Sequence, residues 1–213
     1  EFGQWAVEDL TAYAKHAYDK SDNSFWPTLI DGTRLTPADR KRDGYVESRW
    51  LEKRPAEAIH LWAYCLAHKF SRDELMWETA RSIAAGLGRG DIGKADGVGR
   101  QLDRSTAHAD PNAIFALLEL HAATKDRTFL ALARAVGDNL VREQFHKGFF
   151  VNSPEHVFSK FDSITPLALV YLEVTERELS VKLPLYSAGK SYLHCPFEGV
   201  RTYDHKIIYD RVR

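Results

Sequence analysis

Three segments of this 213-residue chain are apolar almost all the way round a helix: AEAIHLWAYCLA (56–67), NAIFALLEL (112–120) and ITPLALVYLEV (164–174). A helix without a polar face cannot lie on a surface, so all three must be enclosed by other elements. Each carries a start signal: Pro55 follows Arg54, Pro111 follows Asp110, and Asp162-Ser163 precedes Ile164, with Pro166 in the first turn. The first two are followed by short polar turns, KFSRD (69–73) and ATKD (123–126), and then by amphipathic helices over 74–86 and 127–146. In the first of these, Leu75, Met76, Ala80 and Ile83 recur at helical spacing while Glu74, Glu78 and Arg81 face away. VTERE (174–178) reads as a third short turn, and residues 4–18 as an outer helix whose inner partner is missing.

A weak internal repeat supports this order. At an offset of 53, Ala63, His68, Asp73, Ala80 and Arg81 align with Ala116, His121, Asp126, Ala133 and Arg134. Inner-to-outer connections are short, whereas the outer-to-inner ones, roughly 20–54, 87–110 and 147–161, are long. Antiparallel helix pairs put all connections of one kind at one end, so the long loops are expected to share a face, where function usually resides. The predicted fold is all-α: a single partial (α/α) toroid or barrel domain over 1–213, an incomplete arc of about three helix pairs. Three pairs are too few to close a ring. With no entry segment before the first amphipathic helix, a chain truncated upstream is expected, the C-terminal portion of a longer domain.

The bulk properties remove several classes. A net charge of −1 points to neither nucleic acid nor an anionic membrane, and no basic helix suits a DNA groove. No apolar run reaches membrane-spanning length. Cys65 lies in an apolar helical run and Cys195 in a polar loop, with no Cys/His metal spacing between them. Neither Gly-x-Ser-x-Gly nor His-Glu-x-x-His occurs. No oligomeric state is implied.

The second long loop contains GLGRGDIGKADGVG (86–99), with six glycines and Lys94. A phosphate cradle needs a strand before it and Gly-Lys-Ser/Thr opening a helix; here a helix precedes and Ala95 follows the lysine. The glycines fit a helix cap followed by turns, and beyond that either a close backbone approach to an acidic sugar chain or a loop folded back over a cleft. In the first long loop Arg40, Lys41, Arg42, Arg49, Lys53 and Arg54 outnumber Asp39, Asp43, Glu47 and Glu52 by two, with Trp26, Tyr45 and Trp50 interleaved. Aromatic faces stack on sugars and arginine forks grip carboxylates, a combination suited to an acidic carbohydrate. The same residues also suit a solvated loop whose tryptophans plug the end of the barrel. The inner-helix N-termini open onto this face and favour anions. His108 and His156 lie just upstream of two of them, as an acid/base or metal pair or as plain loop residues. The tail YLHCPFEGVRTYDHK (192–206) adds His194, Glu198, Arg201, Tyr203, Asp204 and His205 as a further wall.

The stretches FWPTLIDGTRL, RDGY, GLGRGDIG and YLHCPFEGVRTYDHK, set between helix pairs, resemble the C-terminal part of pectate lyases of polysaccharide lyase family two. The resemblance runs from about the first long loop to the end. It implies an (α/α) barrel that cuts polygalacturonate by β-elimination with a divalent metal cation and an arginine base, in the periplasm or cytoplasm of a bacterium. Elimination removes a C5 proton made acidic by the adjacent carboxylate, so a positive group must neutralise that carboxylate while a base takes the proton. The family's base arginine stands beside a metal-binding histidine. No Arg-His pair occurs here, and the other ligands belong to earlier parts of the longer chain, so no catalytic or metal residue is assigned. The expected contribution of this chain is cleft wall and substrate contacts: Trp26, Arg42, Tyr45, Trp50, Arg54, His108, Arg201 and Tyr203.

Two other readings remain open. A glycoside hydrolase of uronic oligosaccharides on the same scaffold needs two carboxylates astride the bond, from among Asp31, Asp43, Asp91 and Asp110. A non-catalytic helical-repeat binding module would use Arg42, Trp50 and Arg54 against a partner.

Overall fold

The computed structural model describes residues 1–41, 47–146, 148–151 and 163–184. They form an all-α fold. The inner layer is α2 (Ala58–Ser71), α4 (Pro111–Thr124) and α6 (Ile164–Glu176), with α4 packed between the other two. The outer layer is α1 (Phe2–Ala12), continued by a π-helical turn at Tyr13–Ala17, then α3 (Glu74–Gly86) and α5 (Arg127–Gln144). The alternation of inner and outer elements read from the sequence is present. α4 buries seven residues, Ala113 to Leu118 and Leu120, because its apolar sequence leaves no side that tolerates water. Trp62, Phe115 and Tyr171, one from each inner helix, form an aromatic row; Trp62 stacks on Phe115 at 4.6 Å and Tyr171 meets it edge-on at 5.3 Å.

The offset-53 repeat has a physical cause. In each helix pair the inner helix ends on a left-handed residue, Arg72 or Lys125, both at φ 60°. The aspartate that follows caps the outer helix, Asp73 accepting from the Leu75 N–H and Asp126 from the Thr128 N–H, each at 2.8 Å. The ring Nδ1 of His68 lies 3.0 Å from the Asp73 carbonyl, and that of His121 lies 2.9 Å from the Asp126 carbonyl. Ser71 and Thr124 each donate back to a carbonyl four residues earlier. The repeat is therefore one hydrogen-bonded turn built twice.

At the other end each long connection opens as a short antiparallel ribbon, absent from the sequence reading. β1 (Tyr18–Asp19) pairs with β2 (Ser24–Phe25), which also pairs with β3 (Arg54–Pro55). β4 (Gly90–Asp91) pairs with β5 (Gln101–Leu102), and β6 (Phe145–His146) with β7 (Phe149–Phe150). Two-residue strands are too short to show an alternating pattern, so nothing in the hydropathy marks them.

Candidate functional site

The mouth of α2 is built by the first ribbon. Lys53 spans Asp19 at 2.6 Å and Asp22 at 2.7 Å, and its ammonium stands 4.4 Å from the centre of the Trp26 ring. The Trp26 indole N–H points to Asp19 at 3.3 Å. The hydrogen bond from Lys53 holds the Asp19 carboxyl well below the usual carboxylate range and Asp22 below its ordinary value, while the two carboxylates raise Lys53. One face of Trp26 is thus occupied by a cation already paired, which leaves less of the ring for a sugar. Trp50, on a 3-10 turn at Ser48–Leu51, is 47% exposed, and Arg54 on β3 is exposed. These two are open to solvent and free to meet a ligand.

At the mouth of α4, Asp110 caps the helix through the Asn112 N–H at 2.8 Å. His108 is exposed, and the residues around it are fixed by Asn139 of α5, whose amide donates to the carbonyls of Thr106 at 2.8 Å and His108 at 3.0 Å. Beneath them lies Arg89, 2% exposed and donating to the Thr106 hydroxyl at 3.1 Å. Sequence reasoning included Arg89 in a motif but gave it no role; a cation inside a glycine-rich run reads as a solvated loop residue.

The glycine-rich loop goes elsewhere than expected. Its path runs back down the outer wall. Asp91 takes a two-point grip from Arg81 of α3 at 2.6 and 2.8 Å, and the Gly93 carbonyl accepts from the buried Trp77 indole at 2.8 Å. Trp77 lies nine residues before the end of α3, about 13 Å down that helix at 1.5 Å per residue. Arg100 then pairs with Asp126 at the start of α5, donates to the Ile92 carbonyl at 3.1 Å, and sits over Phe129 at 4.5 Å. The loop is a clasp between α3 and α5. Gly90 is needed by the ribbon itself: at φ +80° a Cβ would stand 2.3 Å from the Gln101 carbonyl oxygen. Neither a sugar chain nor a cleft roof accounts for it.

Of the predicted contacts, Trp26, Trp50 and Arg54 belong to the segment entering α2, and His108 belongs to the one entering α4. Arg42, Tyr45, His156, His194, Arg201 and Tyr203 lie outside the described residues, as do Asp43, Cys195, Glu198, Asp204 and His205. Among the hydrolase candidates, Asp31 accepts from the Thr33 N–H, Asp91 is held by Arg81, and Asp110 caps α4. Each has its own structural partner. Among the described residues no three His, Cys, Asp or Glu side chains gather as a metal site, so the family's divalent cation is given no ligands here. A cavity of about 360 Å³ between α1 and residues 28–32 is lined by Asp9, Tyr13, His16 and Asp31. Its two carboxylates would repel a polyuronate.

The family described as periplasmic pectate lyase matches residues 1–196. A curated relative, the pectate disaccharide-lyase of Dickeya dadantii (strain 3937), is 25% identical over 211 residues, covering 96% of this chain and 36% of the relative. The chain therefore spans about a third of the length of that relative.

Proposed function

The chain belongs to the periplasmic pectate lyase family, and from that membership we propose that it forms the cleft wall and substrate subsites of a lyase that cuts polygalacturonate by β-elimination. The family match over residues 1–196 carries this reading. The geometry is compatible with it. The described residues supply an exposed tryptophan, an exposed arginine and a histidine beside two inner-helix mouths, and helix N-termini favour carboxylates. On this reading the base and any divalent cation lie outside the described residues, among which no His, Cys, Asp and Glu side chains gather as a metal site. The chain is then one arc of an (α/α) barrel whose remainder carries the base and any divalent cation. The family's description favours a periplasmic site over a cytoplasmic one.

The test is absorbance at the unsaturated-product band during incubation of polygalacturonate with the complete protein that contains this chain. A rise that a chelator abolishes and added metal restores is expected. No rise under any divalent metal would remove the lyase reading.

A further inference from the structure

Arg89 is among the largest fully buried side chains of the protein. A guanidinium stays charged at any working pH, so enclosing one is costly unless an anion meets it. Among the described residues Arg89 makes one hydrogen bond, from Nη1 to the neutral hydroxyl of Thr106. Its Nε is buried without a partner, and among the described residues its hydrogen bonding is through Nη1 alone. Burial lowers its pKa from the ordinary arginine value, and the field of Asp110 offsets part of that. Asp110, however, is committed to the Asn112 N–H and does not reach Arg89 as an ion pair.

The same chain shows what the unused edge is shaped for. Eight residues earlier, Arg81 presents its Nε and Nη2 as two parallel donors, and the two oxygens of Asp91 fill them at 2.6 and 2.8 Å. In Arg89 that edge is empty. It lies at the long-loop end, next to the approach to α4, a helix of 14 residues whose N-terminus adds partial positive charge. The exposed His108 ring lies beside the neighbouring Gly88, where an added Cβ would stand 3.2 Å from its Nε2. The fixing of the Thr106 and His108 carbonyls by Asn139 keeps this frame in place.

We propose that the Nε–Nη2 edge of Arg89 is a subsite for the carboxylate of one uronate residue of the polymer. The inference rests on the uronate-polymer reading above and assigns one residue of it. It also explains why the fold retains a buried cation that a hydrophobic side chain of similar size would replace without loss.

Calorimetric titration of the 213-residue chain with trigalacturonate, and separately with its fully methyl-esterified form, tests the assignment. Arg89→Met is expected to bind the acid at least tenfold more weakly than the parent, to bind the ester equally, and to unfold at no lower temperature. Unchanged acid binding overturns the proposal. So does a variant that melts lower and loses acid and ester alike, since that makes Arg89 a structural residue only. If the parent itself binds neither sugar, the subsite reading of the whole chain falls first and takes this one with it. Should Arg89→Met not fold, Arg89→Lys decides: it keeps the charge without the fork, so the acid should bind several-fold more weakly, and parent-like binding is the contrary result.

Discussion

At the short-turn end of the helix stack, the same bonds recur in two places: a histidine ring to a carbonyl, a hydroxyl to the preceding helical turn, an aspartate to the next helix. At the long-loop end the ribbons are two residues per strand, Trp50, Arg54 and His108 face water, and Arg89 is buried with its Nε unpartnered. The short-turn end repeats one set of bonds, whereas each mouth at the long-loop end is built differently, with Lys53 held by Asp19 and Asp22 at one and Asn139 holding the Thr106 and His108 carbonyls at the other. The glycine-rich loop crosses this division. It departs from the long-loop end but makes its bonds with Trp77, Arg81 and Asp126, toward the short-turn end. Loop length alone therefore misassigns it.

The sharpest way to break this comparison is to spoil the clasp. In Gly90→Ala, a Cβ would meet the Gln101 carbonyl oxygen at 2.3 Å and the Asp103 nitrogen at 2.6 Å, both backbone atoms, at a φ of +80°. A cost on the order of 3 kcal/mol is expected from strain and clash together. Gly99 has nearly the same φ, +78°, with nothing within 4 Å of the added atom. Gly99→Ala should cost about 1 kcal/mol, the left-handed penalty alone. Urea unfolding of both variants measures the difference, and equal losses would mean that the close approach across the ribbon contributes nothing.

The two short turns differ in one respect. Asp126 pairs with Arg100 of the clasp, whose side chain is only 11% exposed, whereas Asp73 caps its helix without such a partner. Asp73→Ala should cost about 1 kcal/mol for a lost cap. Asp126→Ala should cost about 3 kcal/mol, because it also strands a largely enclosed guanidinium. Thermal or urea unfolding that ranks the two equally would show that the clasp is not coupled to the second helix pair.

Much of the short-turn end was legible in the sequence, because its determinants are local. The polar-free runs mark the inner helices, and the offset-53 matches at His68/His121 and Asp73/Asp126 are the turn residues themselves. The long-loop end was legible as a cluster of loops but not as an arrangement. Trp26 reads as a sugar platform until Lys53, distant in sequence, is found against its face. The loop reads as a cleft element until Trp77 and Arg81 are seen to hold it. One signal for that was available: Arg81 and Asp91 are opposite charges on either side of a glycine turn, as a loop folded back on its helix requires. Nothing local shows that Arg89 is enclosed: it meets Thr106, 17 positions on, whose carbonyl is in turn held by Asn139.

The smallest expected effect concerns pH. Asp91 is held below its ordinary pKa first by the bond from Arg81, and Asp126 first by the Thr128 N–H, with Arg100 adding to it. A carboxylate whose folded pKa lies below its unfolded value of about 3.9 stabilises the fold above that pH. That contribution disappears as pH falls through the folded value. Stability should therefore be flat with respect to these two groups from pH 5 to 8, within the usual plateau for folded domains, and decline below about pH 4. Because both aspartates hold the clasp, the double variant Asp91→Asn, Asp126→Asn should start lower and lose less on acidification. Urea midpoints across the acid range give the slopes. Parallel slopes for parent and double variant would place the acid-sensitive groups outside the clasp, and the contrast between the two ends would then have no counterpart in titration.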